Sequence, residues 1–422
     1  MKKTRIAVKC WSVLLSAALL LSSGAVLTGC STQKDPEETS KPAAQESTEK
    51  NPGRVTEEET SEPEKETEDM TEIKPFRDIT ATELVGELRT GWNLGNTLDA
   101  TGSGGAAALA ETAWGNPLTK EEMIKAVRDQ GFNTIRIPVT WQGFTGGAPN
   151  YNINPAYLKR VKTVVDYAID NGMYVILNTH HEEWVTLYNS TYEEESAHLT
   201  GLWTNIANEF KGYDEHLIFE GLNEPRRQNT SIEWTGGDEE SRNCVNKLNQ
   251  DFVNAVRATG GNNEKRLLMI PGYAASSSDV VLRSIKIPND PMIAVSVHAY
   301  APYNFALNTN GTKEWSASKS NDTHDIDHLM ETLDSLFLSN DIPVIIGEVG
   351  AMNKDNEATR AEWATYYYGK ATEYGIPMIW WDNNAFSGNG ENFGLFNRRE
   401  MSWPYPDLVK AIMDATESRV KE

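Results

Sequence analysis

The chain has 422 residues, with 39 basic and 61 acidic side chains and a formal charge of −22 at pH 7. A chain this acidic is a poor match for nucleic acids or anionic membrane surfaces, because both attract clustered cations. Only three cysteines occur, which excludes a disulfide-rich scaffold and a zinc site built on a cysteine cluster. The length suits one large α/β barrel with appendages.

The first thirty residues have the pattern of a secretion signal. Four basic residues and no acidic ones occur there, and an apolar run over 13–21 is too short to be a good spanning helix. The sequence Leu27-Thr28-Gly29-Cys30 then resembles the lipobox of bacterial lipoproteins, in which the cysteine is acylated. An ordinary signal peptide with a chance cysteine is the alternative. We predict a lipoprotein signal over 1–30, lipidation at Cys30, and an extracellular position on a bacterial cell surface, with attachment to the membrane only through that lipid.

Residues 31–75 differ in composition from the rest of the chain. They contain 14 acidic and 6 basic residues, together with Pro, Ser and Thr, and almost no large apolar side chains. Such a segment cannot bury enough apolar surface to offset the entropy that ordering removes. We therefore predict a disordered linker over 31–75 and one folded domain over 76–422.

Eight short apolar runs, rich in β-branched residues, follow along the folded part of the chain. Their continuous apolar character is typical of parallel strands that are covered on both faces. The predicted strands are 91–95, 134–139, 174–178, 217–221, 266–270, 292–297, 343–347 and 377–381.

Helical patterns alternate with these strands. The stretch Thr119–Glu122 resembles a capping box, and Met123, Ile124 and Val127 continue it as an apolar stripe. Further helices are predicted over 157–169, 197–210, 243–258, 325–338, 357–374 and 405–420. The repeated alternation predicts an α/β fold of the (β/α)8 TIM-barrel type. A doubly wound open sheet is the rival, but it would usually show a Gly-rich phosphate turn after a strand, and the sequence has none.

Candidate functional residues follow the predicted strands, because chemistry in such barrels lies at the C-terminal ends of the strands. These positions are rich in acids, histidines, amides and aromatic rings: Asn96, Arg136, His180, His181, Asn223, Glu224, Tyr273, His298, Tyr300, Glu348, Trp381 and Asn383. Each one alone has an ordinary structural explanation. Burying so many ionisable groups together lowers stability unless they pair, and active sites are where proteins tolerate that.

Two of these residues, Glu224 and Glu348, are carboxylates that follow the fourth and seventh predicted strands. A carboxylate pair can cleave an acetal, because one group donates a proton to the leaving oxygen while the other attacks the sugar or activates water. The flat ring of Trp381 offers a platform for a sugar face. An uncharged sugar is also a ligand that suits an acidic protein.

The ordered motifs resemble those of a known enzyme group. Leu222-Asn223-Glu224-Pro225 and Gly347-Glu348 together resemble clan A glycoside hydrolases. Family five of that clan is indicated when four further motifs are added, namely Arg136, His180, His298-Ala299-Tyr300 and Trp381. Two phrases, Gly91 to Asp99 and His180-His181-Glu182, resemble its endoglucanase and xyloglucanase branch, called subfamily four. The resemblance covers about 80–418.

The resemblance implies a retaining mechanism with Glu224 as acid/base and Glu348 as nucleophile. We expect the negative charge of Glu348 to raise the pKa of Glu224, so that Glu224 can donate a proton at neutral pH. The implied substrate-binding residues are Arg136 and Tyr300 beside the nucleophile, Asn223 at the sugar 2-hydroxyl, His180, His181 and His298 lining the −1 subsite with His298 on the acid/base side, and Trp381 under the −1 sugar.

Outer subsites are predicted on the loops at the same end of the barrel. The candidates are Asn96, Trp141, Trp184, Tyr273 and Asn383, with Trp114, Trp203, Trp234 and Tyr303 as further aromatic residues nearby. A metal site is not expected, because His180 and His181 are adjacent at a strand end and should point in different directions.

The implied function is a retaining endo-β-1,4-glucanase for cellulose-type glucans, mixed-linkage β-glucan and xyloglucan. We expect a monomer that needs no cofactor, with a β-glucan polysaccharide as its partner and no nucleic acid. A β-mannanase of the same family and a non-catalytic polysaccharide-binding lipoprotein are the alternatives.

Overall fold

A computed structural model of the chain describes residues 73–102 and 107–417. The predicted signal peptide, its Cys30 and linker residues 31–72 lie outside the described residues. Within the described part, no helix is both long enough and apolar enough to cross a membrane.

Eight parallel strands form a closed barrel in chain order, and β1 pairs with β8 to complete it. Their bounds are β1 (Thr90–Asn93), β2 (Thr134–Ile137), β3 (Tyr174–Asn178), β4 (Leu217–Glu220), β5 (Leu268–Ser276), β6 (Ile293–His298), β7 (Val344–Val349) and β8 (Met378–Trp380). Each strand overlaps one of the predicted apolar runs, so the predicted (β/α)8 barrel is confirmed. Strand β5 continues past its predicted end, to Ser276.

The described helices are α1 (Ala81–Glu87), α2 (Ala107–Thr112), α3 (Glu121–Asp129), α4 (Pro155–Ile169), α5 (Tyr192–Glu209), α6 (Glu239–Ala258), α7 (Asp279–Leu282), α8 (Tyr303–Ala306), α9 (Ser320–Leu336), α10 (Glu357–Glu373) and α11 (Pro406–Glu417). The predicted capping box of α3 is wrong. Lys120 is the N-cap and makes no side-chain cap, while the Thr119 amide donates to Glu111 instead. A capping box does begin α1. The Thr80 hydroxyl accepts from the Glu83 amide, and the Glu83 carboxylate accepts from the Thr80 amide.

Helix α1 closes the N-terminal end of the barrel. Its apolar residues Leu84 and Val85, and Leu88 directly after the helix, are buried in one cluster with side chains from several strands. Those strand residues include Ile176, Ile218, Met269, Ala294, Ile345 and Ile379. This half of the interior is therefore an apolar core.

The other half of the interior is polar. Successive side chains of a strand point to opposite faces, so a residue two places after an apolar interior residue also points inward. At that level the barrel holds five fully buried polar side chains, Asn93, Arg136, Asn178, Glu220 and Ser296. They lie directly below the strand ends, and they form the base on which the candidate site is built.

Candidate active site

Arg136 on β2 is the centre of the hydrogen-bond network inside the barrel. Its Nε donates to Glu220 Oε2 at 2.8 Å, and its Nη1 donates to Glu348 Oε1 at 2.8 Å. Its Nη2 donates to Asn223 Oδ1 at 2.6 Å. Because one planar guanidinium contacts all three side chains, it fixes their relative positions.

Glu348 lies near the end of β7 and is held from two sides. Arg136 contacts one carboxylate oxygen, and the Tyr300 hydroxyl donates to the other at 2.9 Å. The two predicted contacts to this residue are therefore present. Asn223 uses its carbonyl oxygen to accept from Arg136, which leaves its amide NH₂ group to donate to a ligand.

Glu224 follows β4 and faces Glu348 across His298. His298 Nδ1 lies 2.8 Å from Glu224 Oε1 and 3.6 Å from Glu348 Oε2. One oxygen of each carboxylate and one ring nitrogen of His298 all lie within 4.8 Å of one another. His298 thus lies on the Glu224 side, as predicted, and a single imidazole contacts one carboxylate and approaches the other.

The pKa directions of this trio differ from the sequence-based expectation. Burial raises the pKa of Glu348, and the charge of Glu224 raises it further. The charges of His298 and Arg136 lower it, but the net shift is upward. Burial is the largest single influence on Glu224 and disfavours its charged form, but the hydrogen bond and charge of His298, together with the charges of Arg226 and His181, outweigh it and lower the pKa of Glu224. Burial lowers the pKa of His298, but its two carboxylate neighbours raise it overall. The expected raised pKa of Glu224 is therefore wrong for the free protein, because it left out His298.

His180 and Trp381 form two further walls of the site. Their rings are parallel within 3° with centroids 5.7 Å apart. The Trp381 ring packs tightly against Gly95, where an added Cβ would lie 2.9 Å from it. The absence of a side chain at Gly95 therefore lets the indole lie flat at this position.

His181 packs against an exposed aromatic side chain at the edge of the site. Its ring centroid lies 5.7 Å from that of Trp114, which is 43% exposed. Trp114 is also fixed in place, because its Nε1 donates to Thr101 O at 3.0 Å. Trp114 was predicted only as one of several nearby aromatic residues, and it is the one that the structure joins to a site histidine.

Two of the predicted outer-subsite residues cannot contact a sugar. Trp141 is fully buried and donates from Nε1 to Asn178 O at 2.9 Å. Tyr273 is also buried, and its hydroxyl joins the Arg227 amide and the Ile232 carbonyl. Both predictions are wrong because these rings anchor loops from within.

The other three outer-subsite candidates have structural partners of their own. Asn383 is buried and forms hydrogen bonds within its own loop. Its Nδ2 donates to Glu391 O, and its Oδ1 accepts from the backbone amides of Ala385 and Phe393. The bond to Glu391 O uses one of the two Nδ2 hydrogens, so a subsite role for Asn383 stays a prediction. Trp184 is partly exposed and stacks on His198 at 4.1 Å, and Asn96 is partly exposed with a left-handed φ of 56°. A subsite role for Trp184 and Asn96 stays a prediction.

The argument against a metal site from diverging histidines is wrong. His180, His181 and Asp99 bring one potential ligand atom each within 4.8 Å of one another. Asp99 is held there by the protein itself, since its carboxylate accepts backbone amides from Asn96 at 2.9 Å and Thr97 at 2.5 Å. Burial raises the pKa of Asp99 to about 6.

Glu182, the third residue of the His-His-Glu motif, is a structural residue. Its oxygens accept from the Trp141 and Gln142 amides and from Trp184 Nε1 at 2.6 Å. Burial raises the pKa of this carboxyl to about 7. Glu182 therefore joins two loops beside the site.

Four residues of the polar layer were missed by the sequence analysis, namely Asn93, Asn178, Glu220 and Ser296. Glu220 accepts from Arg136, from Asn178 Nδ2 at 3.0 Å and from the Ser296 hydroxyl at 2.5 Å. All four lie within strands rather than after them. A carboxylate inside the otherwise apolar run 217–221 was the signal that could have revealed Glu220.

Comparison with known proteins agrees with this geometry. The family model described as Cellulase (glycosyl hydrolase family 5) matches residues 98–387. Endoglucanase A of Ruminococcus albus is 48% identical over 351 residues, which are 82% of this chain and 95% of that protein.

Solved structures give the same result. A broad-specificity endoglucanase from Ruminococcus champanellensis with bound cellotriose is 47% identical, with a TM-score of 0.78 over 81% of this chain and 100% of that one. A xyloglucan-specific endo-β-1,4-glucanase from a metagenomic library, in complex with cellotriose, is 43% identical, with a TM-score of 0.76 over 79% of this chain and 98% of that one. The chain therefore belongs to glycoside hydrolase family 5, in its subfamily 4 branch.

Proposed function

We propose that the protein is a retaining endo-β-1,4-glucanase. The observation that carries this proposal is the close approach of the two carboxylates, whose nearest oxygens lie within 4.8 Å of each other. Retaining enzymes hold their carboxyl groups about 5–5.5 Å apart, whereas inverting enzymes separate them by about 6.5–9.5 Å to admit a water molecule. The spacing supports direct attack by one carboxylate.

In the first step, Glu348 attacks the anomeric carbon and forms a covalent bond to the sugar, while the bond to the leaving oxygen breaks. Arg136 and Tyr300 aim the attacking carboxylate. Glu224 gives a proton to the leaving oxygen. That proton is held by the pair of Glu224 and His298, whose 2.8 Å contact allows it to pass between them.

In the second step, Glu224 takes a proton from water, and the resulting hydroxide displaces Glu348 from the sugar. The pKa of Glu224 already lies below its ordinary value in the free protein. Loss of the negative charge of Glu348 in the covalent intermediate lowers it further, which favours the base form. Asn223 directs its free NH₂ group to the sugar 2-hydroxyl, where a hydrogen bond strengthens in the transition state.

The proposed substrates are cellulose-type glucans, mixed-linkage β-glucan and xyloglucan. The match to a broad-specificity endoglucanase and to a xyloglucan-specific one supports this range. A β-mannanase is the rival within the family, and equal or faster cleavage of galactomannan than of carboxymethylcellulose would favour it. The paired carboxylates and their hydrogen-bond partners argue against a non-catalytic binding protein.

A panel of these polysaccharides with Glu224→Gln tests the proposal. We expect this variant to lose about 10³-fold or more in kcat/KM on polysaccharides, because it lacks both the general acid of the first step and the general base of the second. Its loss in kcat/KM should be far smaller on an aryl β-cellobioside with a strongly acidic phenol, which leaves without a proton. NMR of the first products of the unaltered enzyme should show the β anomer. Release of the α anomer would overturn the retaining mechanism.

We also propose that the enzyme is monomeric, and that it is anchored at a bacterial cell surface through Cys30 once the signal over 1–30 has been removed. The support is the lipobox-like ending Leu27–Cys30 and the acidic, apolar-poor composition of 31–75. Expressed in a bacterium, the full chain should incorporate labelled fatty acid and remain with membranes. The Cys30→Ser variant should incorporate no labelled fatty acid and should not remain with membranes. A parent chain that incorporates no labelled fatty acid would contradict the lipid anchor.

A further inference from the structure

A second arginine, Arg226, lies beside Glu224 in the loop that follows β4. Its Nη1 is 3.7 Å from Glu224 Oε2 and donates to the backbone oxygen of the same residue at 3.0 Å. The side chains of Arg226 and Glu224 are 18% and 20% exposed, so solvent only partly screens their interaction. Arg226 therefore lies beside one carboxylate oxygen of Glu224, whereas His298 contacts the other.

The guanidinium of Arg226 is held by two neighbours. Its Nε donates to Glu233 Oε1 at 3.1 Å, and its Cζ lies 4.3 Å from the ring centroid of Trp234. Glu233 is fixed in turn, because its second oxygen accepts the Asn229 amide at 2.8 Å. Trp234 is 58% exposed, so only one part of its surface is used by this contact.

The loop that carries Arg226 is anchored to the scaffold by the next residue. Arg227 pairs with Asp238 and Glu240 at 2.6 Å each and stacks on Tyr188 at 3.9 Å. Its backbone amide donates to the buried Tyr273 hydroxyl at 3.0 Å. Because Arg227 and Tyr273 fix the backbone, Arg226 is presented to Glu224 in one position.

We propose that Arg226, held between Glu233 and Trp234, is a positioning residue that places a fixed positive charge beside the acid/base carboxylate and favours its ionised form. This inference rests on the proposed function, in which Glu224 acts as a base in the second step. A fixed cation at this distance stabilises the carboxylate, and so makes the Glu224 and His298 pair release its proton at lower pH. The lowered pKa of Glu224 in the free protein agrees with this arrangement.

Other ionisable groups also face Glu224 and set the baseline for its titration. From β3, β6, β7 and the loop after β8, they are His181, His298, Tyr300, Glu348 and Glu391. The two carboxylates and the two histidines have opposite effects on Glu224. Of the two arginines in the Glu224 loop, Arg226 is the one beside the carboxylate, since Arg227 pairs with Asp238 and Glu240. Removing Arg226 should therefore change the titration in one direction only.

The test is the pH dependence of kcat/KM on a soluble β-glucan. Arg226→Gln should move the alkaline limb upward by about 0.5 to 1 pH unit, since loss of a nearby cation raises the proton affinity of Glu224. Arg226→Lys keeps the positive charge but lacks the planar guanidinium. In this variant the alkaline limb should lie closer to that of the parent enzyme, with at least half of the Arg226→Gln shift reversed. Arg283→Gln is the matched control, because Arg283 is 60% exposed and pairs with Asp279 on α7.

The outcomes separate this inference from the proposed function. An alkaline limb that stays in place or moves downward in a folded Arg226→Gln variant would overturn the role of Arg226, whatever the size of its kcat. Failure of Glu224→Gln to discriminate between polysaccharide and aryl cellobioside would instead overturn the assignment of Glu224 itself. Circular dichroism and a thermal melt of each variant confirm that the comparison is made between folded proteins.

Discussion

Replacement of Glu348 by Ala is expected to reduce β-1,4-glucan hydrolysis by about 10⁴-fold or more, because no covalent intermediate can form. The fold should survive. Glu348 is a buried carboxylate whose pKa is raised by burial, so its removal also removes an unfavourable ionised group. Arg136 keeps its ion pair with Glu220 at 2.8 Å, which prevents an isolated buried charge. Initial rates on β-glucan and a binding isotherm with a cello-oligosaccharide would measure the two effects separately.

Two controls make this result specific. A small anion such as azide should enter the space left by the carboxylate and restore turnover of an aryl β-cellobioside, giving a product of α configuration. Glu373→Ala, at a 63% exposed side chain in the last turn of α10, should keep the parent activity. Wild-type rates in Glu348→Ala, or rescue that gives the β product, would contradict the assignment of Glu348 as nucleophile.

Replacement of Arg136 by Met is expected to lower the free energy of unfolding by about 3–5 kcal/mol, as is typical when one partner of a buried ion pair is removed. The variant leaves Glu220 fully buried without its cation, and it also removes the hydrogen bonds to Glu348 and Asn223. Activity should fall by about 10²-fold or more even where the protein is folded, because the nucleophile is no longer aimed. Urea unfolding and initial rates would measure these two losses.

The contribution of Glu220 can be isolated with a second substitution. In Arg136→Met combined with Glu220→Gln, the buried charge is absent, and we expect part of the lost stability to return while activity stays low. Arg283→Met, at an exposed ion pair, should change stability by no more than about 0.5 kcal/mol. Equal stability of the two Arg136 variants would show that the unpaired Glu220 carboxylate is not the source of the loss.

The barrel and its two carboxylates could be predicted because each depends on local signals. A short apolar run predicts a buried strand wherever it lies, and a motif such as Asn223-Glu224-Pro225 lies next to one. Both signals can be read within a few residues of the chain.

The polar layer and the pKa of Glu224 depend on contacts between distant strands. His298 lies 74 residues from Glu224 in the chain, and Arg136 lies 84 residues from Glu220. Nothing in the sequence fixes which side chains meet inside the barrel until the strand register is known. Trp141 and Tyr273 were misassigned for a related reason, because an aromatic residue in a loop can pack inward or outward with the same local sequence.

The two halves of the barrel interior have consequences for how the enzyme can be engineered. The apolar half is closed by α1 and contains no group that takes part in the proposed reaction, whereas the polar half supports both carboxylates. Substitutions that improve packing around Leu84 and Ile218 should therefore raise the melting temperature without altering the pH optimum. The apolar half can therefore be altered for heat tolerance while the polar half, in which Arg136 supports both stability and catalysis, is left unchanged.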